Sequence, residues 1–306
     1  MQRRIIKQKT AYTITLPIKW VRNYNINEKR EINIKEEGNK LILSTSNKAK
    51  PEKVDLKLEN SEEHYCRIMI ENHYLKGFDV INISFLNKDA LSLIQTIVTN
   101  LIGVEIVKQN KTSCIISQTA MPTIKEFKSL FNRVKSIIIY TLQITEESIK
   151  GNVYDGLDEI EQLTKDARRF LLFLTRTIHK HTIIEKNDES FMHLLLERMI
   201  LIQHNQLYMY QKLAKLQTKF INNKIEESFK KSKELFLTFV KQFHKQDMKE
   251  FSKISKDWKE LYFNHKLFVG CTEEESIILY HSMHLAKLVF LIAQPNQIKQ
   301  YKYILE

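Results

Sequence analysis

Apolar and polar residues alternate along much of the first 48 residues of the chain. REINIKEE and KLILST place apolar side chains at every second position, which is the period of a half-buried strand. RRIIKQ and YTITLP predict two further strands, IKWVRNY predicts a short helix, and Gly38 marks the turn of a hairpin. Because four short strands bury little area on their own, we expect residues 1–48 to complete their core with a second chain.

Residues 49–121 predict a small α/β module in which strands and helices alternate. VDLKLE and FDVINISF have the pattern of strands, and VEIVKQNKTSCIISQ has that of a hairpin turning at Asn110. SEEHYCRIMIENHYLKG and NKDALSLIQTIVTNLIG have the spacing of amphipathic helices. Ser61 with Glu62 and Glu63 indicates the start of the first helix, and we expect Gly77 and Gly103 to end the helices with left-handed backbone.

Residues 122–306 predict a helical domain, because apolar residues recur there at intervals of three and four. Thr272 with Glu275 has the sequence of a capping box. We predict six helices, over residues 124–149, 157–178, 188–220, 222–245, 247–267 and 272–294. Short connections favour antiparallel neighbours, so we expect two three-helix bundles and an α+β protein overall.

The composition is that of an ordinary globular protein, with 306 residues, 36.4 kDa and 43% hydrophobic residues. Apolar runs such as LVFLIA are far shorter than the ~18 residues of a membrane span. The basic N-terminus lacks the apolar run of a signal peptide, so we expect a cytoplasmic protein. Cys66, Cys114 and Cys271 are too scattered for a disulfide framework or a zinc site, and we expect them to be small buried side chains.

The sequence lacks the glycine and nucleophile motifs of common enzyme classes. Its six glycines form neither GxGxxG nor the GxxxxGK of a phosphate-binding loop. GxSxG and HExxH are also absent. We therefore expect a protein that is not an enzyme and that needs no cofactor.

Positive charge is concentrated near the N-terminus. The formal net charge is +12, and residues 1–48 hold eleven lysines and arginines against four acids, a net charge of +7. The other 258 residues carry +5, as expected for the solvated surface of a lysine-rich protein. The asymmetry favours contact with a nucleic acid or another anionic surface, while the alternative is that these lysines only solvate the protein.

The stretch RRIIKQKTAYTITLPIKWVRNYNINEKREINIKEEGNKLIL resembles the SpoVT/AbrB family of DNA-binding domains, in the variant found at the N-terminus of archaeal PhoU-type phosphate uptake regulators. TLPIKWV, followed by an NI turn and the REINI strand, carries most of this resemblance. HYLKGFDVINI and LIGVEIV resemble later segments of the same regulators. The resemblance implies a dimeric swapped-hairpin β-barrel over 1–48, a linking module over 49–121 and a PhoU-like domain of six helices over 122–306.

The same resemblance implies where DNA is bound. In the family, this position begins a short helix whose tryptophan packs inward while the cations beside it face DNA. Pro17 suits the first turn of a helix because it lacks an N–H, and Trp20 is expected to be a core anchor. The predicted DNA-binding residues are Arg3, Arg4, Lys7, Lys9, Lys19 and Arg22.

Two departures from the family pattern concern turns and metal ligands. KTAYTIT and NINEKRE lack the glycines that the family usually places there. PhoU helices commonly carry an acid-x-x-x-Asp motif, in which carboxylates one turn apart share a metal ion. TKDARRF has Thr164 and Arg168 in these places, and LERMIL has Glu197 followed by Leu201. We therefore expect no tightly bound transition metal in the helical domain.

Other chemistry-bearing residues have structural interpretations of their own. Weak metal candidates are Asp155, Asp158, Glu159 and Glu197, of which the first three also suit the acidic first turns of a helix. His281 and His284 share a helix face, but a zinc site usually needs more ligands. The aromatic residues of YMYQKL and FKKSKELFLTFVKQF could stack on bases, yet their spacing favours amphipathic helices.

Two functions of different classes fit these patterns. The leading hypothesis is a DNA-binding regulator of phosphate uptake that acts as a homodimer. The alternative is a PhoU-like adaptor that contacts a phosphate transporter subunit or a sensor kinase and binds little DNA. A metal-dependent catalyst would need an intact carboxylate cluster, which the sequence does not offer.

Overall fold

The structure, a computed structural model, describes residues 3–26, 31–38, 40–45, 51–86, 89–120, 124–180, 189–216, 222–243 and 248–294. It is a mixed α+β protein in which helices predominate, so the coarse fold class is the predicted one. The chain divides into two compact units, Met1–Lys53 and Val54–Glu306. The finer division at residues 48 and 121 stays a prediction.

The first unit contains two antiparallel hairpins and one short helix. Strands β1 (Ile5–Gln8) and β2 (Ala11–Ile14) form the first hairpin, and β3 (Asn33–Glu37) and β4 (Lys40–Ser44) form the second. Helix α1 (Ile18–Asn23) lies between them in sequence. The described strands of this unit form two separate two-stranded sheets and no closed barrel.

Backbone conformation explains where these short elements turn and start. Gly38 has a φ of +57° in the predicted turn, a left-handed conformation that glycine adopts without steric cost. Lys9 has a φ of +48° in the other turn, which is uncommon for a residue with a Cβ. Helix α1 begins at Ile18, as IKWVRNY predicts, and Pro17 is its N-cap with a φ of −63° and an extended ψ of 124°. The expectation that Pro17 lies within the first turn is therefore wrong by one position. Since proline has no N–H to donate, it fits on either side of a helix start.

A four-stranded sheet follows, with the strand order β5–β6–β8–β7. Its strands are β5 (Lys53–Leu58), β6 (Val80–Phe85), β7 (Val104–Gln109) and β8 (Ser113–Gln118), and its helices are α2 (Glu63–Leu75) and α3 (Asp89–Thr99). β8 pairs antiparallel with both β6 and β7. The predicted turn at Asn110 is confirmed, because its Oδ1 accepts hydrogen bonds from the backbone N–H groups of Thr112 and Ser113 at 2.9 and 2.7 Å.

The predicted helix start at Ser61, Glu62 and Glu63 is confirmed for α2. Glu62 is the N-cap, and its carboxylate accepts hydrogen bonds from two backbone N–H groups of the first turn. These bonds lower the pKa of the Glu62 carboxyl. A carboxylate can take both N–H groups and also interacts favourably with the helix dipole, which a serine hydroxyl does not match. Gly77 and Gly103 adopt the predicted left-handed backbone, with φ values of +89° and +77°.

In the described part of residues 122–306 there are six long helices, as predicted. They are α4 (Ile124–Gly151), α5 (Leu157–Lys180), α6 (Glu189–Leu216), α7 (Asn223–Gln242), α8 (Met248–Tyr262) and α9 (Glu273–Ile292), with a 3₁₀ turn at His265–Phe268 before the last. The predicted capping box of Thr272 and Glu275 is present at the start of α9. The predicted outer ends of α6, α7 and α8, at residues 188, 217–220, 244–245 and 247, lie outside the described residues. α8 ends at Tyr262 and not near residue 267 as predicted, because His265–Phe268 form the separate 3₁₀ turn.

The six helices pack around one hydrophobic cluster. α4, α5 and α6 contact one another, α7, α8 and α9 do the same, and contacts of α6 with α9 and of α4 with α7 join the two sets. In α7, Phe229, Phe236 and Phe239 are buried, while Lys230 and Lys231 are exposed. This burial confirms the amphipathic interpretation of FKKSKELFLTFVKQF.

Among the described residues, one helix, α9, is long and apolar enough by length and composition to cross a membrane. Half of its most apolar window is buried inside the protein, where α9 packs against α6, α7 and α8. Ser282 on α9 is buried and accepts through its backbone carbonyl a hydrogen bond from Ser232 of α7 at 2.7 Å. We therefore interpret α9 as the central helix of the bundle.

The three cysteines are free thiols, and two of them are buried as predicted. Burial raises the pKa of Cys114 to about 11. Cys271 is only partly buried, because it lies in the short connection between the 3₁₀ turn and α9. Its Sγ donates a hydrogen bond to the carbonyl of Leu267 at 3.3 Å.

Candidate nucleic-acid interface

Residues 3–26 carry six cations and no acid. These cations are the predicted DNA-binding residues, and every one of them is exposed: Arg3, Arg4, Lys7, Lys9, Lys19 and Arg22. The stretch itself therefore carries a net charge of +6, which creates a local positive potential that attracts phosphates.

The β1–β2 hairpin positions four of the six cations. Arg3 and Arg4 precede β1, Lys7 lies within β1 opposite Tyr12, and Lys9 is in the turn. At the rise of a strand, residues 3 to 9 extend over about 20 Å. Duplex DNA carries one charge per about 1.7 Å of its axis, so this length suffices to reach several phosphates.

Helix α1 positions the other two cations on one face. Lys19 and Arg22 are three residues apart and are therefore neighbours on the helix surface. Together with Trp20 and Asn23 they line a shallow depression of about 420 Å³. Trp20 is only partly buried, and its ring lies 5.7 Å from that of Tyr24. Within a single chain, Trp20 is therefore not the buried core residue that was predicted.

The same unit leaves large apolar side chains exposed. Strands β1 and β2 contain no buried residue, and the exposed fraction reaches 65% for Ile5 and 69% for Tyr12. In the described part of this unit, the other exposed large apolar residues are Ile6, Ile14, Ile18, Ile34 and Leu41. Exposed apolar residues in such a concentration mark an interaction surface. Cations and uncovered apolar side chains thus occur on the same hairpins and helix.

The weak metal candidates are exposed, three of them near the start of α5 and one on α6. Asp155, Asp158 and Glu159 lie at or just before the start of α5, and Glu159 accepts a hydrogen bond from the hydroxyl of Tyr140 at 3.0 Å. This bond raises the pKa of Tyr140. Glu197 is exposed on α6. Among the described residues, no group of three or more His, Cys, Asp or Glu side chains could hold a metal ion.

The residues that replace acids in the first metal motif have structural partners. Buried Thr164 donates its hydroxyl to the carbonyl of Ile160 at 2.7 Å and accepts a hydrogen bond from Gln203 at 3.1 Å. Arg168 donates from both terminal nitrogens to the two carboxylate oxygens of Glu71, at 2.6 Å each. This bidentate pair raises the pKa of Arg168 and joins α5 to α2.

Sequence reasoning missed a buried arginine on α5. Arg176 is 1% exposed, and its guanidinium donates hydrogen bonds to the carbonyl oxygens of Tyr74 and Phe78 and to the side chain of Gln118. Burial lowers the pKa of Arg176. The sequence signal is an arginine inside the apolar run FLLFLTRTI, where a buried cation needs several fixed acceptors. Through these hydrogen bonds, Arg176 connects helix α5 to the α/β part of the second unit.

His281 and His284 meet at one amide of α6. Their Nδ1 atoms lie 2.9 and 3.3 Å from Oδ1 of Asn205, whose amide nitrogen donates to the carbonyl of His281 at 2.9 Å. Burial lowers the pKa of both histidines, which keeps them neutral at neutral pH. The pair is therefore explained by a hydrogen-bond network between α6 and α9.

Comparison of this chain with protein-family models, with curated proteins and with solved structures gives no match. The resemblance to SpoVT/AbrB and PhoU proteins therefore rests on the residues that carry it. The candidate interface rests on its own charge, exposure and geometry.

Proposed function

We propose that this protein is a cytoplasmic DNA-binding regulator of phosphate uptake, which acts as a dimer and binds DNA through residues 3–26. The observation that carries the proposal is the charge of this stretch, with six exposed cations and no acid. A surface that binds the DNA backbone needs such an excess of exposed cations, because affinity comes largely from phosphate neutralisation. The phosphate-uptake part rests on the resemblance of the remaining chain to PhoU-type regulators.

Dimerisation of the first unit is part of the proposal. Ile5 and Ile14 face each other across the β1–β2 hairpin, and both are exposed. A second copy that covers these side chains, as in a swapped-hairpin barrel, would bury apolar area at roughly 25 cal/mol per Å². It would also bring a second set of six cations, twelve in all, to the DNA.

Base contact is assigned to α1. Arg22 lies on the exposed face with Lys19, and a guanidinium fork can donate two hydrogen bonds to one guanine edge. The hairpin cations act on phosphates and position the domain. The helical part, with α4 to α6 and α7 to α9 as two PhoU-like bundles, couples DNA binding to a transporter subunit or a sensor protein.

The DNA-binding claim is tested by fluorescence anisotropy of the full chain with a DNA duplex at several salt concentrations. If about half of the twelve cations reach phosphates, the slope of log K against log salt is about −5. The double variant Arg4→Ala and Arg22→Ala should bind at least about tenfold more weakly. Its melting temperature should stay close to that of the parent, because both side chains are exposed.

The matched control is Lys230→Ala with Lys241→Ala, which removes two exposed cations from α7. It should leave DNA affinity within about twofold of the parent. An equal loss of affinity in both double variants would mean that only net charge matters. Affinity that is independent of salt, or unchanged in the Arg4 and Arg22 variant, would favour the adaptor hypothesis.

The phosphate-uptake claim has a separate test. Removal of this protein from its cell should change transcript levels of a phosphate transporter when phosphate is abundant. Restoration by the parent but not by the Arg4 and Arg22 variant would link that effect to DNA binding. Restoration by both would assign the effect to protein contacts instead.

A further inference from the structure

A cleft between α7 and α8 has a charge opposite to that of the rest of the protein. It has a volume of about 380 Å³ and is lined by α7 from Glu227 to Thr238, by α8 from Lys253 to Leu261, and by Asn264 and Leu267 after α8. Four carboxylates line it, those of Glu227, Glu234, Asp257 and Glu260. Leu235, Ile254 and Leu261 supply apolar surface beside them.

Most of the acidic residues of α7 and α8 line this cleft. α7 and α8 together contain nine lysines and six acids, a net charge of +3. The cleft takes four of those acids and only two of those lysines, Lys231 and Lys253, a net charge of −2. The remaining lysines of the two helices lie outside its lining. The cleft is thus a local site of attraction for a cation in a chain whose net charge is +12.

A second observation points to a ligand in the cleft. Ser228, which lines it, is 1% exposed, and in the described part of the chain its Oγ has no hydrogen-bond partner. A buried hydroxyl without a partner is costly, so an N–H donor that enters the cleft would be stabilised there. The apolar walls suit an aliphatic chain, and the rim suits ammonium groups.

The carboxylates of the cleft are too far apart to be bridged by a single compact ion such as a metal ion. Glu227 and Glu234 are two turns apart on α7, a rise of about 10 Å. Among the described residues, no three acidic, histidine or cysteine side chains converge closely enough to hold a metal ion. An extended cation whose charges are separated by methylene groups can instead meet several carboxylates at once.

We propose that this cleft binds a linear aliphatic polyamine, with its ammonium groups at the four carboxylates and its methylene chain against Leu235, Ile254 and Leu261. This site is distinct from the DNA-binding surface, and it does not depend on the proposed regulation of phosphate uptake. Lys231 and Lys253 limit the number of ammonium groups that the cleft accepts. Glu260 is partly engaged already, since its carboxylate lies 3.7 Å from Nζ of Lys256.

The test is isothermal titration of the full chain with spermidine at fixed ionic strength. Binding should saturate with a dissociation constant of about 1 mM or lower. Glu227→Gln with Asp257→Asn should weaken it about tenfold, because two ammonium–carboxylate contacts are lost. Ser228→Ala should weaken it by a smaller factor, about threefold. Magnesium chloride at the same ionic strength should neither bind nor compete.

The matched control is Glu226→Gln with Glu250→Gln, which changes the net charge equally on the same two helices but outside the cleft lining. This variant should keep the parent affinity within about twofold. Circular dichroism melting of both variants checks that they remain folded. An equal loss in the two double variants, competition by magnesium, or no saturable binding up to about 10 mM spermidine would overturn the proposal.

Discussion

In the unit Met1–Lys53, Ile5, Tyr12 and Leu41 expose 65%, 69% and 66% of their surface, whereas Val54–Glu306 encloses two hydrophobic clusters. Among the described residues, the first unit buries a single large apolar side chain, Ile26. The second unit also buries Arg176, whose guanidinium donates hydrogen bonds to two backbone carbonyl oxygens and to Gln118. The comparison teaches that Val54–Glu306 buries enough apolar side chains to form its own hydrophobic core. Met1–Lys53 also contains large apolar side chains, but within one chain it leaves most of the described ones exposed. We expect the first unit to be completed by a partner.

The largest expected effect comes from removing the buried cation of the second unit. Arg176→Met should lower the free energy of unfolding by about 3–5 kcal/mol, because two carbonyl oxygens and Gln118 lose their donor inside the protein. Chemical denaturation followed by circular dichroism measures it. Arg133→Met is the control, since Arg133 is exposed and lies over the ring of Phe170 at 4.7 Å, and it should cost about 1 kcal/mol or less. A similar decrease in the free energy of unfolding in the two variants would mean that the hydrogen bonds of Arg176 do not stabilise the contact between the α/β part and α5.

A smaller effect is expected from the ion pair between Arg168 and Glu71. A double-mutant cycle with Arg168→Met and Glu71→Gln should give a coupling free energy of about 1–3 kcal/mol, because the pair is bidentate and Glu71 is buried. The same cycle on the exposed pair of Arg67 and Glu63 should give about 0.5 kcal/mol or less. Equal coupling in the two cycles would contradict the view that burial makes the first pair strong.

The smallest effect is the pH dependence of the second unit. Burial lowers the pKa of His193, His204, His281 and His284 below 6.5, with further lowering by nearby cationic groups. The unfolded chain therefore takes up protons first, so stability is complete above pH 6.5 and decreases as the pH falls below it. His281→Gln with His284→Gln should make the free energy of unfolding less dependent on pH in this range. A parent whose stability is constant below pH 6.5 would contradict the account.

Much of the helical part could be predicted from sequence, because period and capping are local properties. The six helices and the capping box at Thr272 follow from residues three or four positions apart. The N-caps were predicted less sharply. The start of α2 was placed over Ser61, Glu62 and Glu63, and the structure selects Glu62, whose carboxylate accepts from two backbone N–H groups. Pro17 was expected in the first turn of α1 and is its N-cap.

Long-range partners could not be predicted in this way. The run FLLFL at residues 170–174 is buried throughout, with Leu172 and Phe173 packed into the cluster of the α/β part and Leu171 and Leu174 into that of the bundle. A helix segment that is apolar on all sides is buried on more than one side. The five consecutive apolar residues of FLLFL therefore already indicated such burial in the sequence. Which side chains Arg168 and Arg176 meet depends on packing between segments about 100 residues apart. The six N-terminal cations could be predicted, since exposure is the usual state of lysine and arginine.

The oligomeric state of the full chain at micromolar concentration tests the central claim most directly. Sedimentation equilibrium should show a dimer for the parent protein. Ile5→Ser with Ile14→Ser should shift it towards a monomer, because the two side chains face each other on the exposed hairpin surface that a second copy would cover. Leu194→Ser with Leu201→Ser removes two exposed leucines from α6 and should leave the dimer intact. A parent that is monomeric while its N-terminal hairpins are folded, or a dimer unaffected by the Ile5 and Ile14 changes, would contradict the account.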